Sequence, residues 1–199
     1  MKDWIGDKNS VYKMLASSNH STSERQSEDY YATEPLAGEL LLKIENIDKE
    51  KPIWECASGE NHLAKVFQNN GYIVRTSDLI KRTDTTEVLD FLNQNEKWDG
   101  TIITNPPYKF ATQFVEKSIE TVTEGNKVIF FLKIQFLEGK ARKLLFQKYP
   151  PKTIYVSSSR LNCAKNGDFK TQDHNGAVAY AWFVWEKGYK GETIIKWFN

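Results

Sequence analysis

Two consecutive prolines cut short the β-branched run Thr101-Ile102-Ile103-Thr104, and no other stretch limits the fold of this chain as much. A short apolar run of this kind reads as a buried strand. Proline cannot continue it, because the ring fixes φ and removes the N–H that a sheet ladder needs. The chain must turn at Asn105-Pro106-Pro107-Tyr108. Such a turn leaves the carbonyls of Asn105 and Pro106 open to a ligand. Asn105 adds a side-chain acceptor and Tyr108 an aromatic face. Together they suit a planar amine: its hydrogens go to the two acceptors, its conjugated system lies on the ring, and the nitrogen lone pair is free to meet an electrophile.

The rest of the chain alternates strands and helices around this turn. At 199 residues it is long enough for one α/β domain with a substantial core. Residues 1–29 carry no periodic apolar pattern and read as a flexible arm, leaving 30–199 as the domain. No apolar run approaches the ~20 residues of a membrane span, and Met1-Lys2-Asp3-Trp4 opens no apolar leader. Cys56 and Cys163 are too far apart in sequence to imply a disulfide framework or a zinc cluster. These features predict a cytoplasmic protein with no membrane or metal partner.

A helix is predicted from Pro35, with Thr33 as its cap and Leu36, Leu40, Leu41 and Ile44 as its apolar stripe. Ile53 to Glu55 reads as a strand, followed by a loop with Ala57, Gly59 and Asn61 and a helix carrying Leu63, Ala64, Val66 and Phe67. Strand, glycine loop and helix N-terminus form the usual cofactor cradle of open α/β sheets. The next strand, 71–78, ends in Asp78, 19 residues after Gly59. That is close to the ~20-residue spacing of an acid that accepts ribose hydroxyls; Asp84 is a fallback. Asp90-Phe91 follows. After Tyr108 come a helix (Ala111, Phe114, Val115, Ile119, Val122), a strand at 127–132, a helix over 137–148 and a strand at 152–156. A polar loop over 157–176 then leads to a strand at 177–185 and a short edge strand at 193–198. A loop that long inside a domain is usually functional or disordered.

Net charge is +1, but it is unevenly spread. Residues 133–170 hold nine basic side chains against Glu138 and Asp168, so this segment carries +7 and the remainder −6. Such a concentration predicts a surface that faces phosphates.

The order of these segments resembles that of small phage-type DNA N6-adenine methyltransferases, S-adenosylmethionine-dependent enzymes with an Asn-Pro-Pro-Tyr motif. It runs from the tyrosine segment through Glu55-x-x-x-Gly59-x-Asn61, Asp78 and Asp90-Phe91 to Asn105-Pro106-Pro107-Tyr108. Phe136 to Arg142 and Trp182 to Trp185 are also similar to that group. The resemblance implies a doubly wound, Rossmann-like, mostly parallel sheet of about seven strands whose last strand is antiparallel. It implies S-adenosylmethionine held by Tyr31, Thr33, Glu55, Ala57, Gly59, Asn61, Asp78, Asp90, Phe91 and Asn105. It also implies methyl transfer to an exocyclic amino group, adenine N6 in DNA, at Asn105, Pro106, Pro107 and Tyr108.

Two departures stand out. Asn61 replaces the second glycine of the loop, and the spacing from Tyr31 to Pro35 is one residue longer than the short form. Only 14 residues separate Asp90 from Asn105, and 14 follow Trp185, too few for a target-recognition domain. DNA contacts are therefore expected from the arm and from Lys140, Arg142, Lys143, Arg160 and Lys165, with short or no sequence preference. Methylation of RNA or of a protein glutamine amide, and a non-catalytic nucleic-acid-binding module, remain open as alternatives.

Overall fold

The apolar runs expected to be strands line up in a single sheet in the computed structural model, which describes residues 31–165, 167, 169 and 178–199. The arm expected over 1–29 lies outside the described residues. In chain order the elements are β1 (Tyr31–Thr33), α1 (Pro35–Ile44), β2 (Ile53–Glu55), α2 (His62–Asn69), β3 (Val74–Asp78), β4 (Glu87–Val88) and β5 (Thr101–Thr104). They continue with α3 (Ala111–Thr121), β6 (Lys127–Lys133), α4 (Lys140–Lys148), β7 (Thr153–Ser157), β8 (Cys163–Lys165), β9 (Tyr180–Glu186) and β10 (Ile194–Phe198).

Eight strands lie in the order β10-β7-β9-β6-β5-β2-β3-β4. All neighbours are parallel except β9, which runs antiparallel to both β6 and β7. The doubly wound, mostly parallel sheet inferred from the sequence is thus present. Its eighth strand is the short C-terminal one, which extends the edge beside β7. Strand order reverses between β2, which leads outward to β3 and β4, and β5, which leads to β6. In open α/β sheets the ligand crevice lies at such a switch point, beyond the carboxyl ends of the strands.

Side-chain alternation along the central strands feeds one core on each face. Ile102, Phe130, Leu132, Phe183 and Trp185 pack with Phe114, Val115 and Ile119 of α3 and Leu145 of α4. Ile103, Ile129, Phe131, Trp182 and Val184 pack with Ala37 and Leu41 of α1 and Leu63 and Phe67 of α2. Each large apolar side chain buried this way contributes about 1.5–3 kcal/mol. Three fully buried indole N–H groups are paired: Trp54 donates to Ser77 Oγ (2.9 Å), Trp182 to the Ala37 carbonyl (3.1 Å) and Trp185 to the Tyr149 carbonyl (3.1 Å).

Three sequence expectations are corrected. Thr33 does not cap α1; it is buried in β1, and Glu34 holds the N-cap position without a side-chain cap bond. The reason is tertiary. β1 pairs antiparallel with β8, and Glu34 exchanges two hydrogen bonds of 3.1 Å with the backbone of Asn162. β8 itself lies inside the stretch expected to be a polar loop, since three residues are too few to show a period. The helix expected over 137–148 begins at Lys140, after Gly139 at φ 120°, with 134–137 forming a 3-10 turn.

Candidate active site

β2 ends in Glu55 and leads into a loop that needs two left-handed residues before α2 begins. Gly59 (φ 53°) and Asn61 (φ 64°, ψ 27°) supply them. Asparagine tolerates this conformation better than other non-glycine residues. Its side chain is buried and turned to the 83–86 segment: Nδ2 donates to Thr83 Oγ1 (2.8 Å) and Thr85 Oγ1 (3.0 Å), and Thr86 donates to Oδ1 (3.1 Å). Asn61 therefore ties the loop to its neighbour, an anchorage that a glycine could not make.

Asp78, at the tip of β3, accepts the Gly59 N–H at 2.8 Å and the Ile80 N–H at 3.1 Å, which fastens the second strand to the first loop. Glu55 is 3% exposed. Its carboxyl takes the Ala64 N–H, while Oε2 is buried without a partner. Burial raises its pKa well above the ordinary carboxyl value, and the charge of Asp78 adds to the rise. Ala57 lies half-buried between these two acids in the chain.

Asp90 is exposed after β4 and accepts the Leu92 N–H (3.1 Å) and an Asn93 Nδ2 hydrogen (2.6 Å). Phe91, expected beside the cofactor, belongs to the core cluster. It is 2% exposed and packs edge-on to Trp54 (5.2 Å) and stacked on Phe114 (5.4 Å), so the apolar demand of the core has claimed it.

Trp54 pairs with Ile102, so Glu55 and Asn105 leave adjacent strands at the same sheet edge. Past β5, the Asn105 amide donates through Nδ2 to the Tyr31 carbonyl (3.2 Å) and to Cys163 Sγ (3.4 Å), while Oδ1 is buried with no partner. Pro106 is buried, Pro107 exposed and Tyr108 half-buried. The Tyr108 ring lies 6.0 Å from that of Tyr31 and 6.4 Å from that of Tyr180, with its hydroxyl 3.1 Å from the Tyr180 hydroxyl. Burial pushes the Tyr108 phenol far above its usual pKa, so it stays neutral. The ammonium of Lys133 sits 4.4 Å from the Tyr108 ring centre. It makes no ion pair among the described residues.

Cys163, Tyr180 and Lys133 were not among the site residues inferred from sequence. They reach the turn from β8, β9 and β6, and no local motif marks them.

The basic segment divides between the two ends of the sheet. Lys133, Lys140, Lys143 and Arg160 follow the carboxyl ends of β6 and β7 and lie at the crevice edge. Lys140, Lys143 and Arg160 are exposed. Arg142 is at the same edge, but its guanidinium folds back to the Glu138 and Gln135 carbonyls and over Phe136. Lys148 and Lys152 stand at the opposite edge, where Lys152 pairs with Glu186 at 2.7 Å. The Lys165 side chain lies outside the described residues. Among those residues, no helix is long and apolar enough to cross a membrane, and no group of His, Cys, Asp or Glu could hold a metal ion.

No protein-family profile and no curated protein matches the chain. Solved structures do. A Listeria monocytogenes protein described as a class I S-adenosylmethionine-dependent methyltransferase superposes with a TM-score of 0.55 at 16% identity, over 81% of this chain and 62% of its own. An Agrobacterium tumefaciens protein described as an O-methyltransferase gives 0.57 at 13% identity, over 80% of this chain and 85% of its own. The M protein of the type I restriction enzyme EcoKI gives 0.54 at 15%, over 78% of this chain and 43% of its own. The present chain thus spans less than two thirds of the Listeria protein and less than half of the EcoKI protein. With its reversed strand order at β2 and β5 and its antiparallel β9, the chain has the fold of the class I S-adenosylmethionine-dependent methyltransferases.

Proposed function

We propose that the chain is an S-adenosylmethionine-dependent methyltransferase acting on an exocyclic amino nitrogen, adenine N6 in DNA. The observation that carries this reading is Asn105 Oδ1, a buried carbonyl oxygen without a donor, beside the tyrosine of the motif. An unsatisfied buried acceptor costs about 1–3 kcal/mol, and an amino group is the donor that would remove that cost.

The residues fit the cofactor. Glu55 offers an unpaired carboxyl oxygen at the first loop. Gly59 and Asp78 are already joined beside it, and Asp90 lies beyond β4. When bound, S-adenosylmethionine supplies an electrophilic methyl group. The chain does the rest. Tyr108 offers an aromatic face to a base taken out of the stack, at a cost of a few kcal/mol for duplex DNA. Asn105 Oδ1 and the Pro106 carbonyl accept the amino hydrogens. As the nitrogen becomes positively charged these acceptors bind it more tightly, so they stabilise the transition state more than the ground state. No side chain need act as a strong base.

Lys133, Lys140, Lys143 and Arg160 at the crevice edge, which make no ion pair among the described residues, favour a polyanionic acceptor over a glutamine amide. The likeness to the M protein of a restriction enzyme supports DNA. The test is mass spectrometry of DNA incubated with the protein and S-adenosylmethionine. N6-methyladenine should appear with the native protein and be lost with Asn105→Ala. Transfer to RNA or to a glutamine peptide in its place would overturn the DNA acceptor.

A further inference from the structure

We infer that Cys163 and Tyr180 are positioning residues, which hold Asn105 and Tyr108 in the orientation that amino-group methylation requires. The inference rests on the function proposed above. An asparagine amide can sit either way round, and only one way presents an acceptor to an amine. Here the two Nδ2 hydrogens have two acceptors, the Tyr31 carbonyl at 3.2 Å and Cys163 Sγ at 3.4 Å. Turning the amide over would set Oδ1 against the Tyr31 carbonyl, two oxygens with no hydrogen between them. The nitrogen end is held, and Oδ1 is left for the substrate.

Both acceptors arrive on one device. Tyr31 lies on β1 and Cys163 on β8, and these strands are paired with Thr33 opposite Cys163. Because the Tyr31 contribution is a backbone carbonyl, Cys163 is the one side chain that completes the clamp. Burial pushes the thiol up to about 11, so it is neutral and serves as a hydrogen-bonding group, not a nucleophile.

The same sulfur neighbours the Tyr108 and Tyr180 phenols. Tyr180 is itself stacked on Phe131 of the core (5.1 Å, 13° between planes). Its hydroxyl, 3.1 Å from that of Tyr108, fixes where the Tyr108 ring lies. Cys163 and Tyr180 thereby lock both chemical groups of the motif from outside it. Small displacements of reacting groups cost about 100-fold in rate, so such locks matter to turnover more than to binding.

The test compares kcat and KM of the native protein with those of Cys163→Ala, Cys163→Ser and Tyr180→Phe, using a DNA duplex as acceptor. Cys163→Ala should lower kcat by about 10- to 100-fold with the S-adenosylmethionine KM unchanged. Cys163→Ser, which restores an acceptor, should recover most of that loss. Tyr180→Phe keeps the ring and the fold and should lower kcat several-fold. Native kcat in both Cys163→Ala and Tyr180→Phe would overturn the inference, as would equal losses in the alanine and serine variants, which would indicate packing alone. A native protein that methylates no amino acceptor would overturn the proposed function and this inference with it.

Discussion

Glu55 holds a carboxyl group in the core with one oxygen unpaired, a position that works against the fold. Its folded pKa lies above the ordinary value of 4.5, so the folded state binds more protons than the unfolded state above that pH. Stability should therefore fall as pH rises through the window above 4.5. Glu55→Gln should flatten that slope and raise stability at pH 8 more than at pH 5, read from urea unfolding at the two pH values. The same variant should weaken S-adenosylmethionine binding. Asp78→Ala should cost that binding about 1–3 kcal/mol by titration calorimetry, through loss of a charge-assisted acceptor and of the bond that orders Gly59. Tyr108→Ala should leave cofactor affinity unchanged and weaken the base by about 1–3 kcal/mol, measured as the affinity for an unpaired adenine in DNA.

At the scale of elements, the first loop and the 79–86 segment behave as one unit because Asn61 bonds to three threonines of the latter. Asn61→Gly should keep the left-handed turn and lose the anchorage. Asn61→Ala loses both, since alanine pays about 1–2 kcal/mol in that conformation. Thermal unfolding should rank native above glycine above alanine. The β1–β8 ribbon is the other element with consequences beyond itself, because it carries the two acceptors that hold Asn105.

At the scale of the whole molecule, the basic side chains of the 133–170 segment divide between the two ends of the sheet. Four cations without ion-pair partners among the described residues stand at the crevice edge, whereas Lys152 is bound to Glu186 at the other. Binding to duplex DNA should fall with salt by roughly 0.9 log unit per log unit for each phosphate contact. Replacing Lys140, Lys143 and Arg160 with Gln should lower that slope by up to about three such increments, with S-adenosylmethionine affinity unchanged. Arg142→Gln should leave the slope nearly unaltered, because its guanidinium is spent on its own turn. Fluorescence titrations across a salt series would check both.

Local chemistry was legible in the sequence wherever a few adjacent residues dictate the backbone. The proline pair ended β5, continuous apolar runs placed the central strands, and Asn61 stands in a left-handed turn where the resembled family has glycine. What involved residues far apart in the chain was not legible. Thr33 looks like a helix cap until β8 pairs with its strand, and Phe91 looks like a crevice residue until Trp54 and Phe114 enclose it. Arg142 looks like a free cation until its own turn takes it. Cys163 shows nothing in sequence, for its hydrogen bond is made with a neighbour 58 positions away. Periodicity and turn chemistry are properties of short windows, whereas the orientation of a side chain in a crevice is decided by whichever strands the sheet order brings to it.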